Sequence, residues 1–224
     1  MRYLIIPGVM KCGTSSLFDC LSAHSRICPA RTKEPEYFSR TQSHGARGPA
    51  YHDLFDYDAT VHSLLMDGST GYSKPGEEGV PARIRADGID PMIVFVLRNP
   101  FERIVSHLNH RRQFHDDDRL SHYLIEISAY WPAIDRFAQA FDRLCVTTLE
   151  QLIETPAEID RMQAFLGLTP EPLVFRHRNP GTYEAGQRVL STAEQDDIRT
   201  RLAPDMARLR SDFGVDVARW GFDG

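Results

Sequence analysis

The sequence predicts an α/β domain of three layers, a central parallel sheet flanked by helices, and three observations predict it. Strand-like apolar runs at 2–6, 92–97 and 144–148 are separated by segments with helical apolar spacing, the alternation that yields parallel strands covered on both faces. Met92-Ile93-Val94-Phe95-Val96-Leu97 is apolar without interruption, as a strand buried on both sides requires. A glycine- and hydroxyl-rich loop, Gly8 to Ser16, follows the first run at the place where open parallel sheets take their ligands, beyond the carboxyl ends of the strands.

Taken in order, Arg2 to Ile6 is the first strand, and Ser15 to Leu21 carries Leu17, Phe18 and Leu21 at the spacing of a helix with one buried stripe. Ile27-Cys28 reads as a short strand, 53–59 as irregular or briefly helical, and Leu64 to Asp67 as a strand. Glu78 to Ala86 has helical spacing and stops at Gly88. After the central strand, Asn99-Pro100 puts proline in the first turn of a helix whose apolar side is Phe101, Ile104, Val105 and Leu108. The helix Tyr130 to Phe141, the strand Leu144 to Thr148, the helix Pro156 to Leu166 and a long amphipathic helix from Ala193 to Phe213 complete the chain. No repeat, low-complexity stretch or linker interrupts it, so residues 1–224 read as one domain.

Composition narrows the partners. At 224 residues and 42% hydrophobic content the chain can bury a sizeable core. A net charge of −5 lacks the broad basic field of a nucleic-acid binder, although single arginines can still line an anion pocket. No apolar run reaches the ~18 residues of a membrane span, and the N-terminus enters a strand directly, so a soluble, cytoplasmic protein is expected. Cys12, Cys20, Cys28 and Cys145 lack Cys-x-x-Cys spacing and are expected to hold neither metal nor disulfide. Asp116-Asp117-Asp118 has no ligand framework around it and reads as a solvated loop.

The loop's chemistry points to phosphate. Gly8 and Gly13 allow close backbone approach, and Thr14 can open a helix whose N–H groups face an anion. A nucleotide loop of the Gly-x-x-x-x-Gly-Lys-Ser/Thr type needs lysine after the second glycine. Here Thr14 stands in that place and Lys11 lies inside the loop. This arrangement resembles the 5′-phosphosulfate loop of sulfotransferases, whose donor is 3′-phosphoadenosine 5′-phosphosulfate (PAPS). A second segment carries the resemblance further: a strand ending in Arg98-Asn99-Pro100 leads into a helix with Ser106, eight residues after the arginine. A guanidinium at a strand's carboxyl edge and a hydroxyl about two turns into the next helix can converge on one phosphate.

A third segment, Lys33-Glu34-Pro35-Glu36-Tyr37-Phe38, is similar to the Glu-x-x-Phe/Tyr-Phe segment of heparan-sulfate-type and related bacterial sulfotransferases, with Glu34 on their catalytic carboxylate. Asp67 to Tyr72 resembles a Glu-Lys-Ser/Thr-x-x-Tyr segment but has Gly68 in place of the lysine, so a heparan-type substrate is not carried over. Asn179 to Arg188 resembles the loop closing over the adenosine and 3′-phosphate, with Ala185-Gly186 where Lys-Gly is common. Leu190 to Trp220 resembles the terminal helix and its closing tryptophan.

The resemblance implies a P-loop-like fold and a PAPS-dependent sulfotransferase, with adenosine 3′,5′-bisphosphate as product and no metal required. It assigns the 5′-phosphate to Lys11, Cys12, Gly13, Thr14, Ser15 and Ser16, and the 3′-phosphate to Arg98 and Ser106. Tyr183 is assigned to stack on adenine and Arg188 to add charge, Glu34 is the general base, and Lys11 also steadies the leaving phosphate. The acceptor is a hydroxyl or amine on a glycan, glycolipid or small metabolite, bordered by 39–63 and 109–130. Rival readings are a magnesium-dependent P-loop kinase, which the displaced lysine disfavours, and a non-catalytic nucleotide-binding module. Within the site, Arg98 can instead pair with Glu102, Glu36 competes with Glu34, and His107 is the reserve base.

Overall fold

In the computed structural model, residues 1–39, 50–112, 119–178 and 188–223 are described. Five strands, β1 (Tyr3–Gly8), β2 (Ile27–Pro29), β3 (Leu64–Asp67), β4 (Met92–Leu97) and β5 (Leu144–Thr148), form one sheet in the order β2-β3-β1-β4-β5. Every pairing is parallel. The helices are α1 (Thr14–Ser22), α2 (Val80–Ala86), α3 (Pro100–Arg112), α4 (His122–Glu126), α5 (Trp131–Ala140), α6 (Leu149–Glu154), α7 (Ala157–Phe165) and α8 (Thr192–Phe213).

The order β2-β3-β1-β4-β5 reverses direction at β1. The crossover through α1 runs one way and those through α2 and α5 the other, so right-handed connections place α1 on one face and α2 and α5 on the opposite face. Contacts agree: α1 packs on β1 and β2, while α2 and α5 pack together and α8 covers α5. All six residues of β4 are buried, which is why its sequence shows no alternation. β1 and β4 are hydrogen-bonded neighbours, so the loop after β1 and the turn after β4 open side by side at the switch point.

Differences from the sequence expectation lie at the edges of elements and in two short helices that were not expected. β1 runs two residues further, through Pro7 to Gly8. The helices α4 and α6 are five and six residues long, too short for apolar periodicity to show. α6 nevertheless carries a readable start signal, since Thr148 and Gln151 form a capping box directly after β5. α8 opens on the same device, Ser191 with Glu194, and continues through Pro204 to a left-handed cap at Gly214.

Candidate functional site

The donor loop is shaped by what presses on it. The Val9 N–H donates to the Val96 carbonyl at 2.9 Å, carrying the β1–β4 ladder one step into the loop, and the Cys12 N–H closes a turn onto the Val9 carbonyl at 3.1 Å. A Cβ on Gly8 would lie 2.2 Å from Ser73 Oγ, and one on Gly13 would lie 2.6 Å from Leu149 Cδ1. Gly13 also has φ 89°, a left-handed conformation that glycine adopts without cost, and it caps α1 without a side-chain bond. Among the described residues no side chain caps the first-turn N–H groups of α1, the condition under which a helix start can take an anion. Lys11 holds φ 69° in the middle of the loop. Its amine is pushed down from the ordinary lysine value by burial first, then by the fields of Arg98 and Arg103, with Glu34 opposing.

The remaining loop residues divide by depth. Thr14 and Ser16 are buried, while Gly13 and Ser15 are half-buried. The Ser16 hydroxyl accepts the Arg178 N–H at 3.0 Å and so ties the segment before residue 179 to α1. Cys12 is wholly buried with its Sγ 3.9 Å from the Tyr130 hydroxyl, and burial pushes its thiol up to about 12. It forms the floor of the loop and is no nucleophile.

The second arm leaves β4. Asn99 accepts the Phe101 N–H at 3.0 Å and donates its own N–H to Glu150 at 2.8 Å, so the Asn-Pro pair fixes the entry of α3. Arg98 donates from Nε and a terminal nitrogen to Glu102 at 3.2 and 2.9 Å, and its carbonyl receives the Tyr130 hydroxyl at 2.8 Å. Ser106 lies half-buried two turns along α3. Between them sits Arg103, fully buried, donating to Ser128 Oγ and the Leu124 carbonyl at 2.7 Å each and standing 3.3 Å from His107 Nδ1. A guanidinium only donates, so His107 Nδ1 accepts and the ring proton is on Nε2. Burial, Arg103 and Lys11 push the His107 ring down to about 4. With Nδ1 engaged and so low a pKa, His107 is a poor general base.

The third arm carries the carboxylates. Lys33 pairs with Glu34 at 2.5 Å, and the Glu34 side chain is 40% exposed. Both oxygens of Glu36 are engaged: its carboxylate accepts the Gly71 N–H at 2.8 Å and the Ser39 hydroxyl at 2.5 Å, and its N–H donates to Ser69 Oγ at 2.9 Å. Glu34 is the more exposed carboxylate of the segment. At Gly68 a Cβ would lie 2.7 Å from the Phe18 ring, so the ring of α1 fills the space a longer side chain would need.

At the C-terminal end, Arg188 is held by Glu194 and by the Val189 carbonyl, and its N–H donates to Asn109 of α3 at 3.1 Å. Tyr183, with the rest of 179–187, lies outside the described residues, as do 40–49 and 113–118 of the segments expected to border the acceptor. One contact has no local sequence signal: Asp205 of α8 accepts the N–H groups of Tyr130 and Trp131 at 2.9 and 3.0 Å, capping α5 from another helix. Burial pushes this carboxyl up to about 7. Among the described residues, no group of His, Cys, Asp and Glu is arranged to hold a metal, and no helix is long and apolar enough to cross a membrane.

Comparison with known proteins agrees with the geometry. No family model matches the chain. It is 29% identical over 183 residues to human (Homo sapiens) heparan sulfate glucosamine 3-O-sulfotransferase 3B1, covering 73% of this chain and 45% of that protein. The chain thus spans less than half the length of this relative. Among solved structures, the sulfotransferase from Alicyclobacillus acidocaldarius superposes with a TM-score of 0.79 at 23% identity, over 99% of both chains. Mouse sulfotransferase SULT7A1 complexed with PAP superposes with a TM-score of 0.54 at 13% identity, over 97% of this chain and 86% of that one. The resemblance seen in the motifs extends to the whole architecture: the chain has the P-loop-like α/β fold of the sulfotransferases.

Proposed function

We propose that this protein transfers a sulfuryl group from PAPS to a hydroxyl or amine of a glycan, glycolipid or small-metabolite acceptor. The observation that carries the reading is a lysine inside the loop after β1, which opens beside the turn after the neighbouring β4 that bears Arg98, with burial and then Arg98 pushing the amine down from its ordinary value. Two cations just beyond the ends of adjacent strands and one exposed carboxylate suit a donor with phosphate groups at both ends of its nucleoside. The human relative and the bacterial structure, both named as sulfotransferases, support the same class.

In the proposed reaction the acceptor oxygen or nitrogen forms a bond to sulfur as the bond from sulfur to the phosphate oxygen breaks, and the electron pair leaves with adenosine 3′,5′-bisphosphate. Glu34 takes the acceptor's proton. Lys11 and the first-turn N–H groups of α1 meet the charge that grows on the departing phosphate, preorganised and partly out of water. Arg98 exchanges the exposed Glu102 carboxylate for the 3′-phosphate, with Ser106 beside it. Roles for Tyr183 at the adenine and Arg188 near the 3′-phosphate are part of the proposal. No step calls for a metal. The filled space above Gly68 supports an acceptor gripped without a cation there, and the four buried free thiols suit a reducing compartment, which we take to be the cytoplasm.

The test is transfer of labelled sulfate from PAPS to pooled acceptors from the source cells. Label on an acceptor with Glu34→Gln reduced at least about tenfold supports both the class and the base. Magnesium-dependent transfer of phosphate from a nucleoside triphosphate, with no sulfate transfer, would replace the reading by a kinase.

A further inference from the structure

We infer that Asp67, a buried carboxylate of β3 outside the donor loop, is the positioning residue that holds the segment carrying Glu34 in its working pose. The inference rests on Glu34 acting as the base. Asp67 ends β3 beside Ile5 of β1 and is fully buried, yet among the described residues its side-chain partners are three hydroxyls and no cation. Ser69 donates to Oδ1 at 2.6 Å, and Tyr51 and Tyr72 donate to Oδ2 at 2.9 Å each. An unpaired carboxylate in such a place is costly compared with an apolar side chain, so its presence asks for a reason other than packing.

The reason lies one bond further out. Two of the three hydroxyls are relays: Ser69 Oγ accepts the Glu36 N–H at 2.9 Å and Tyr72 Oη accepts the Phe38 N–H at 3.2 Å. A hydroxyl that donates to a carboxylate is a better acceptor in turn, so one charge grips alternate amides just beyond Glu34. The grip is returned, because the Glu36 carboxylate accepts the Gly71 N–H between those two hydroxyls. Gly71 is the residue that permits it, since a Cβ there would lie 2.1 Å from Glu36 Oε2. Meanwhile Glu34 and Glu36 sit at φ 60° and 52°, a region that non-glycine residues keep only where their surroundings over-determine it. The hydroxyls around Asp67 are those surroundings.

The experiment is Asp67→Asn in the full chain, read three ways. Turnover should fall about 10- to 100-fold, as a small misplacement of a catalytic group costs, while the dissociation constant for adenosine 3′,5′-bisphosphate stays within about twofold because the donor arms hang on β1 and β4. The amides of Glu36 and Phe38 should exchange with solvent deuterium markedly faster. Added to Glu34→Gln, the substitution should cost nothing more, as expected of two residues acting through one group. If Asp67→Asn does not fold, Ser69→Ala cuts only the Glu36 relay and should give a smaller loss of the same kind. Unchanged exchange at Glu36 and Phe38, an equal loss of bisphosphate binding, or full additivity with Glu34→Gln would each overturn the assignment. Undiminished turnover in Glu34→Gln alone would instead remove the base, and the exchange rates would still decide whether Asp67 holds the segment.

Discussion

The two charged regions of this molecule are built by one rule with opposite sign. On the α3 side, the fully buried Arg103 is bonded to a serine hydroxyl, a carbonyl and a neutral histidine, with no carboxylate partner among the described residues. On the β3 side, the fully buried Asp67 is bonded to three hydroxyls and, among the described residues, to no cation. The outer members differ from both: Arg98 is paired with Glu102, and Glu34 with Lys33. Arg103 and Asp67 are held by neutral dipoles and keep their fields, whereas Arg98 and Glu34, both assigned to ligands, have ion-pair partners that can be exchanged. Glu102 is 50% exposed and Lys33 24%, and with one half-open member in each pair, screening by water keeps both pairs weak and replaceable.

The sharpest way to break this contrast is at Lys11, the cation assigned to the leaving phosphate. Lys11→Ala should lower sulfate transfer by about 100- to 1,000-fold, measured as turnover from PAPS at saturating donor; near-normal transfer would take the lysine out of the mechanism. Next in size is Arg98→Ala. It should cut the preference for adenosine 3′,5′-bisphosphate over adenosine 5′-phosphate by about 10- to 100-fold, the worth of one charged hydrogen-bonded contact. An unchanged preference would leave Arg98 as no more than the partner of Glu102.

The contrast also has a sign in pH. His107 is pushed down to about 4 from an ordinary value near 6.5, so between these values the unfolded chain binds the proton and the folded chain does not. Its contribution to stability is present above ~6.5 and is lost as pH falls toward ~4. Asp67 and Asp205 are pushed up by burial, to about 6 and about 7, and act in the opposite direction. Their share is present below ~4 and is lost as pH rises through those values. Denaturation midpoints of His107→Gln followed from pH 4 to 7 should therefore rise less with pH than those of the parent, by up to about 3 kcal/mol of stability across the window. Identical slopes would mean that His107 titrates normally. The smallest effect expected is none: a chelator should leave sulfate transfer unchanged, and loss of activity restored by magnesium would favour phosphoryl transfer.

What the sequence made legible follows from how local each signal is. β4 was visible from its unbroken apolar run, and the entry of α3 from Asn99-Pro100, because a buried strand and a helix cap are written in consecutive residues. The places of Lys11 and Arg98 in the fold were legible for the same reason, each following a strand end beside its punctuation. Asp67 was not. Its function depends on Tyr51, Ser69 and Tyr72 gathering around it and on Ser69 and Tyr72 reaching back to Glu36 and Phe38, over 30 residues away. Asp205 capping α5 from 75 residues downstream is equally silent in the sequence. Arg188 was assigned to the donor from its neighbours in the chain, whereas the folded protein ties it to Glu194 and Asn109, so its access to a ligand depends on releasing that hold.

The most direct measurement is a calorimetric titration of the unmodified protein with adenosine 3′,5′-bisphosphate and, separately, with ATP and magnesium. A donor site built from Lys11, the α1 N-terminus and Arg98 should bind the bisphosphate at least about tenfold tighter, a difference of ~1.4 kcal/mol, and without metal. Tighter binding of magnesium ATP, with little affinity for the bisphosphate, would contradict it.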